Sequence, residues 1–133
     1  MKKKLILIPF LFLIFSCDFT ENRFIIIKND SNNNILCFIS KVDINNITSI
    51  SDMNAPTEIN KSEFAFLVPI TRGKWEDYIE KCDVNKVRIY IIVRDSIDKY
   101  GWKNIYKNNI YNKKYLFTIQ DLEKINWEIT YDD

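Results

Sequence analysis

The chain has 133 residues, of which 47% are hydrophobic and 28% charged, with only two Gly and three Pro. This composition excludes a disordered protein or a long flexible linker, and the length fits one domain. Three basic residues lie at positions 2–4, which leaves sixteen Lys and Arg against eighteen Asp and Glu, a net charge of −2. This near-neutral remainder has no basic stripe, which excludes nucleic acid as a partner.

The amino-terminal segment has the features of a bacterial lipoprotein signal peptide. A positive stretch at 2–4 precedes an apolar run of eleven residues at 5–15. A transmembrane helix needs about 20 apolar residues, so this run is too short to span a bilayer. Residues 14–17 (IFSC) then resemble a lipobox, although Phe15 is bulkier than the usual residue. We expect cleavage before Cys17 and acylation of its thiol; the alternatives are ordinary signal cleavage or a retained hydrophobic anchor.

The resulting organisation has three parts. The predicted boundaries are 1–16 for the signal peptide, 17–22 for a lipidated tether and 23–133 for a single globular domain.

The first half of this domain is predicted to be strand and loop. Apolar runs at 23–28 and 35–41 flank the turn-forming residues 29–34, a pattern that predicts a β-hairpin. The polar stretch at 42–63 has little periodicity and predicts a long loop with at most one short strand. Residues 64–70 predict another strand, with a proline near its end that indicates a sheet edge.

The second half alternates helices and strands. Apolar residues at i, i+3, i+4 and i+7 predict a helix over 75–82, and the alternation over 87–94 predicts a central strand. The remaining predicted elements are a short helix near 102–106, a strand over 113–118, a capped helix over 119–125 and a closing strand over 127–131. The fold class expected is α+β, with a mostly antiparallel sheet and two or three short helices packed on one face.

Several kinds of chemistry are excluded by residue content. The chain has no His, which removes Ser-His and Cys-His catalysis and the usual base at neutral pH. Two Gly are too few for a glycine-rich phosphate loop, and residues 30–41 lack the Gly and Glu that a calcium loop requires. We therefore expect no metal, no cofactor and no catalytic residue.

The remaining cysteines and one serine are candidate modification sites. Cys37 and Cys82 are predicted to form either one disulfide or two buried free thiols, and the sequence leaves both open. Asp95-Ser96-Ile97 resembles a three-residue O-glycosylation signal of Bacteroidota, and Ser96 is expected where a strand gives way to a loop.

Acidic and aromatic residues at helical spacing have ordinary structural interpretations. The carboxylates of the 75–82 helix lie on its polar face and are expected to be solvated. Trp75, Trp102 and Trp127 each belong to an apolar periodic face, so core packing is favoured over sugar stacking.

The carboxyl-terminal third has a distinctive pattern of aromatic, acidic and aliphatic residues. Its members are Asp95, Trp102, Ile105, Lys114-Tyr115, Thr118, Asp121-Leu122, Asn126-Trp127, Ile129 and Tyr131. This pattern resembles one found in small Bacteroidota lipoproteins of unknown function. The chain departs from the pattern at Lys114, where Arg is expected, and at Asp132, where Pro is expected. The resemblance covers residues 86–131 and the signal peptide, and it implies a cell-envelope location without a catalytic residue.

Two functional hypotheses follow. The first is a non-enzymatic lipoprotein of the bacterial envelope, anchored to the outer membrane or facing the periplasm, that binds an envelope protein or a glycan. The second is a small carboxylate-dependent envelope hydrolase.

Overall fold

The computed structural model of the protein describes residues 23–69 and 73–133. The predicted signal peptide, the tether and Cys17 lie outside the described residues. The elements are β1 (Ile25–Asn29), β2 (Ile35–Ser40), a 3₁₀ turn (Ile44–Asn46), β3 (Thr57–Ile59), β4 (Phe64–Leu67), α1 (Trp75–Glu80), β5 (Val87–Val93), α2 (Arg94–Asn108), β6 (Lys113–Phe117), α3 (Ile119–Lys124) and β7 (Glu128–Tyr131).

The fold is α+β, as the sequence predicts, and its strands are divided between two sheets. The three-stranded sheet has the order β4-β1-β7, and the four-stranded sheet has the order β3-β2-β5-β6. All pairs are antiparallel except β1 with β7, which run parallel.

The predicted hairpin between the first two strands is wrong. β1 pairs with β4 and β7, whereas β2 pairs with β3 and β5. The turn between them leads the chain from one sheet to the other and is held by Asn29, which is fully buried. Its side-chain amide donates hydrogen bonds to the carbonyls of Asn33 (2.8 Å) and Ile59 (3.1 Å).

The four-stranded sheet is covered on both faces. One face of β2, with Cys37 and Ile39, joins a large cluster that includes β1, β7, α1 and α3. The other face, with Leu36 and Phe38, packs on Ile97 and Ile105 of α2. The helices therefore lie on two sides of this sheet and not on one face as expected, because both sides of β2 and β5 are apolar and need cover.

α2 occupies more of the chain than the sequence predicts. It begins directly after β5, at Arg94, and Gly101 interrupts it with a left-handed φ of 71° that suits glycine. It ends at Asn109, also left-handed, whose backbone N–H donates to the carbonyl of Ile105.

α3 begins with the capping box that the sequence predicts. The backbone N–H of Asp121 donates to Thr118 Oγ1 (3.1 Å), and Thr118 N–H donates to the Asp121 carboxylate (2.9 Å).

Candidate functional site

A cavity of about 910 Å³ opens between the loop over 47–56, the end of β4 and α2. Its walls are mostly apolar. The lining residues are Ile47, Thr48, Ser49, Ile50, Met53, Asn54, Ala55, Pro56, Val68, Pro69 and Tyr106.

The outer wall of the cavity is a turn built around Asp52. Its carboxylate accepts hydrogen bonds from the backbone N–H groups of Thr48 and Ser49, both at 2.9 Å. These bonds to the backbone favour the ionised form and lower the pKa of Asp52. The turn holds Ile50 at its tip with 92% of the residue exposed. Ile50 therefore presents its side chain to solvent at the rim of the cavity.

The same loop is tied to the four-stranded sheet and to α2. Asn54 Oδ1 accepts from the backbone N–H of Ile39 at 2.6 Å, and the backbone N–H of Lys41 donates to the carbonyl of Asp52 at 2.8 Å. The Tyr106 hydroxyl of α2 lies 3.6 Å from the sulfur of Met53. The loop that bounds the cavity is therefore fastened to β2 and to α2 through residues 52–54.

The shape and lining of this cavity suit an apolar ligand. Its volume lies at the upper end of the roughly 300–1,000 Å³ that is usual for ligand pockets. The rim also carries the polar residues Thr48, Ser49 and Asn54, whose side chains supply no acid–base chemistry. Sequence reasoning missed these residues, although the long unpatterned loop at 42–63 and its isolated Ile and Met were the available signal.

The main buried charge lies elsewhere and has a structural role. Arg88 of β5 is 3% exposed, and its guanidinium pairs with Asp43 and Asp83. The Tyr90 hydroxyl donates to Asp43 at 2.9 Å and accepts from the backbone N–H of Ile44. These contacts fasten the segment around the 3₁₀ turn to the sheet.

Asp43 is held in its charged form. Burial opposes its ionisation, but hydrogen bonds from Lys114 and Tyr90 and the charge of Arg88 outweigh burial and lower its pKa. A general acid needs the opposite shift. The pKa of Glu76 is also lowered, chiefly by its hydrogen bond from Arg23, so these carboxylates are poorly suited to the hydrolase hypothesis.

Both candidate disulfide cysteines are buried and free in the structure. Burial raises the pKa of the Cys37 thiol to about 12 and that of the Cys82 thiol to about 11. A thiol with so high a pKa is protonated at neutral pH and unreactive. The geometry therefore corresponds to the free-thiol alternative.

The candidate glycosylation site lies in a helix. Ser96 belongs to the first turn of α2 and is half-buried, because β5 passes into α2 without the expected loop. Modification of Ser96 stays a prediction. The helical segment around Ser96 is less accessible than the loop that the sequence indicated.

The tryptophans belong to packed clusters. Trp75 and Trp127 are 2% and 8% exposed, with ring centroids 5.8 Å apart, and Trp102 packs on the α2 side of the four-stranded sheet. Trp127 shares its buried side with Ile129 and Tyr131 as the sequence predicts. Trp75 and Trp127 are buried too deeply to stack on a sugar, whereas Trp102 is half-buried.

Within 23–69 and 73–133, no group of three His, Cys, Asp or Glu side chains is arranged to hold a metal ion. No helix in these ranges is long and apolar enough to cross a membrane. Comparison with protein-family models found no match, and neither did comparisons with curated proteins and with solved structures.

Proposed function

We propose that this protein is a lipid-anchored binding module of the bacterial envelope, held in the membrane through acylated Cys17. We further propose that it binds an apolar segment of another envelope protein. The cavity behind Ile50 carries this proposal. A glycan is a poorer fit, because the cavity walls are apolar and Trp75 and Trp127 are packed in the core.

The proposed ligand follows from the chemistry of the cavity. Met53 is flexible and polarisable, so it adapts to irregular apolar surfaces. The polar groups of the rim suit the backbone of a bound peptide, which must keep its hydrogen bonds as its side chains leave water. Apolar side chains would enter the cavity while the peptide backbone stays at the rim.

The anchor is tested by substitution of Cys17. Cells that make Cys17→Ser should show no fatty-acid labelling of this protein, and the chain should be unprocessed or released. Cys37→Ser is the matched control, because it removes a buried thiol and should leave labelling intact. Unchanged labelling in Cys17→Ser would refute the anchor.

The binding site is tested by site-specific photo-cross-linking in intact cells. A photoreactive residue at Ile50 should capture one defined protein, and the same residue at Val84, which is 47% exposed and does not line the cavity, should not. Met53→Lys places a charge at the cavity wall and should abolish capture from position 50. Capture that survives Met53→Lys would show that the cavity is not the binding site.

A further inference from the structure

The outer face of the three-stranded sheet exposes a continuous group of aromatic rings. Phe24, Phe64 and Phe66 are 42%, 58% and 54% exposed. Phe66 contacts both of the others edge to face, with centroids 5.7 Å from Phe24 and 5.4 Å from Phe64. Single exposed apolar residues are common, but a contiguous aromatic patch on one sheet face indicates an interaction surface. We call these three residues, with Ile26 opposite Phe66, the phenylalanine face.

The phenylalanine face carries little charge of its own. Lys28 lies opposite Phe64, and its ammonium is paired with Glu128 at 2.6 Å. The two side chains are about equally exposed, and their opposite charges cancel each other locally. The face therefore offers aromatic surface without a charge pattern that a particular protein partner would have to complement.

The chain enters the domain at the edge of this face, at a fixed point. The carbonyl of Arg23 accepts a hydrogen bond from Trp75 Nε1 at 2.8 Å. The Arg23 guanidinium lies 4.8 Å from the centre of the Trp127 ring and pairs with Glu76 and Glu123. These contacts hold Phe24, the next residue, against the body of the domain.

The proposed anchor lies within a short reach of this point. Cys17 precedes Phe24 by seven residues, and seven residues span at most about 25 Å when fully extended. The headgroup layer of a bilayer is itself about 5–8 Å thick on each side. An acylated Cys17 therefore keeps Phe24 within about 25 Å of the anchor, close enough for the phenylalanine face to reach the membrane surface.

We propose that the phenylalanine face rests on the bilayer, with its aromatic rings in the headgroup region as a second membrane contact. This inference rests on the proposed acylation of Cys17. Phe side chains on the apolar face of a membrane-bound segment insert at the boundary between headgroups and acyl chains, and a lipid anchor becomes more stable when a second contact accompanies it. The contact would also orient the domain, so that the binding cavity has a set direction relative to the membrane.

The test uses the full lipidated chain in phospholipid vesicles, with an environment-sensitive fluorophore on Phe66→Cys. The native Cys37 and Cys82 are buried, so they compete poorly for the label. The matched control is Val84→Cys, at a site with similar exposure away from the phenylalanine face. The label at 66 should shift to shorter wavelength, and lipids brominated near the headgroup should quench it several-fold more than the label at 84.

Each other outcome overturns the inference for a stated reason. Equal quenching of both labels by aqueous iodide would place the face in water. A shift at 66 that depends on protein density, without quenching by brominated lipid, would indicate a second copy of the chain. Flotation of the unlabelled protein with the vesicles reports the anchor separately. A floating chain with a water-exposed label refutes this inference alone, and a chain that does not float refutes the anchor as well.

Discussion

The two sheets of this protein differ in how their faces are covered. The four-stranded sheet lies between two apolar clusters, and in β5 even Arg88 and Tyr90 are buried. The three-stranded sheet buries Ile25 and Ile27 on one side and exposes phenylalanines on the other. The central strands of one sheet therefore serve stability on both faces, whereas the other sheet presents a surface on one of its faces. Substitutions should separate these roles.

The largest effect is expected at the junction of the two sheets, at Trp127. This residue has a left-handed φ of 61°, unusual for a bulky side chain, and packing against Trp75 and Arg23 holds it there. Trp127→Ala should lower the free energy of unfolding by about 3–5 kcal/mol, because a buried aromatic ring is lost.

Chemical denaturation measures the effect of Trp127→Ala. With Trp75 and Trp102 replaced by Phe, the emission of Trp127 should also be blue-shifted and resist acrylamide quenching. A red-shifted, freely quenched Trp127, in a protein whose alanine variant melts like the parent, would contradict the structural role.

A matched pair of substitutions compares the sheets directly. Ile91→Val, at a fully buried position of β5, should lower the free energy of unfolding by about 0.5–1.5 kcal/mol, because it leaves a small cavity. Ile26→Val makes the same change on the half-exposed face of β1 and should cost less than about 0.5 kcal/mol. If thermal or denaturant unfolding showed equal losses of free energy for both variants, the two sheets would not differ in how far their strand faces contribute to stability.

Charge pairs on the two sheets should respond differently to acid. Asp43 has a lowered pKa, so its contribution to stability is present above the ordinary value of 3.8 and is lost as pH falls through the folded value below it. Asp43→Asn should cost about 1 kcal/mol or less at pH 7, because the carboxylate is partly exposed, and should cost nothing once the native carboxyl is protonated.

The comparison pair for Asp43 is the exposed Lys28–Glu128 contact on the three-stranded sheet. Lys28→Gln should change unfolding by a few tenths of a kcal/mol at most. Denaturant unfolding at a series of pH values compares the two variants with the parent. An Asp43→Asn loss that persists unchanged into strong acid would show that the lost interaction is not with the carboxylate.

A small effect on folding is also expected on the phenylalanine face. Phe66→Ser should change the free energy of unfolding by about 0.5 kcal/mol or less, because the ring is already more than half exposed. The same variant should bind vesicles more weakly in its lipidated form. If Phe66→Ser lowered the free energy of unfolding by more than about 2 kcal/mol, Phe66 would have a structural role like that of Trp127.

Apart from α2, local structure followed from the sequence to within a few residues. The alternation around β5 and the helical spacing of Trp75, Tyr78 and Ile79 predict those elements, and the structure has them. The Thr118–Asp121 cap is likewise a local interaction and was predicted. Such features depend on residues a few positions apart, which a sequence pattern records directly.

The candidate site could not be predicted from sequence patterns. The cavity brings together a loop, the end of β4 and Tyr106, which is about fifty residues from Met53 in the chain. The 42–63 stretch has no period that indicates which side chains point inward. Its shape is decided by hydrogen bonds to β2 and by contact with α2.

The sequence by itself therefore determined where most strands and helices lie, the α+β class and the buried side of Trp127. Only the tertiary structure decided that β1 leaves β2 for β4 and β7, and that α2 covers the second face of the four-stranded sheet. Backbone hydrogen bonds are alike along every strand, so a strand's partner is chosen by which faces the whole chain buries together. That choice also left Phe24, Phe64 and Phe66 on the surface, where their residue type alone would have placed them in the core.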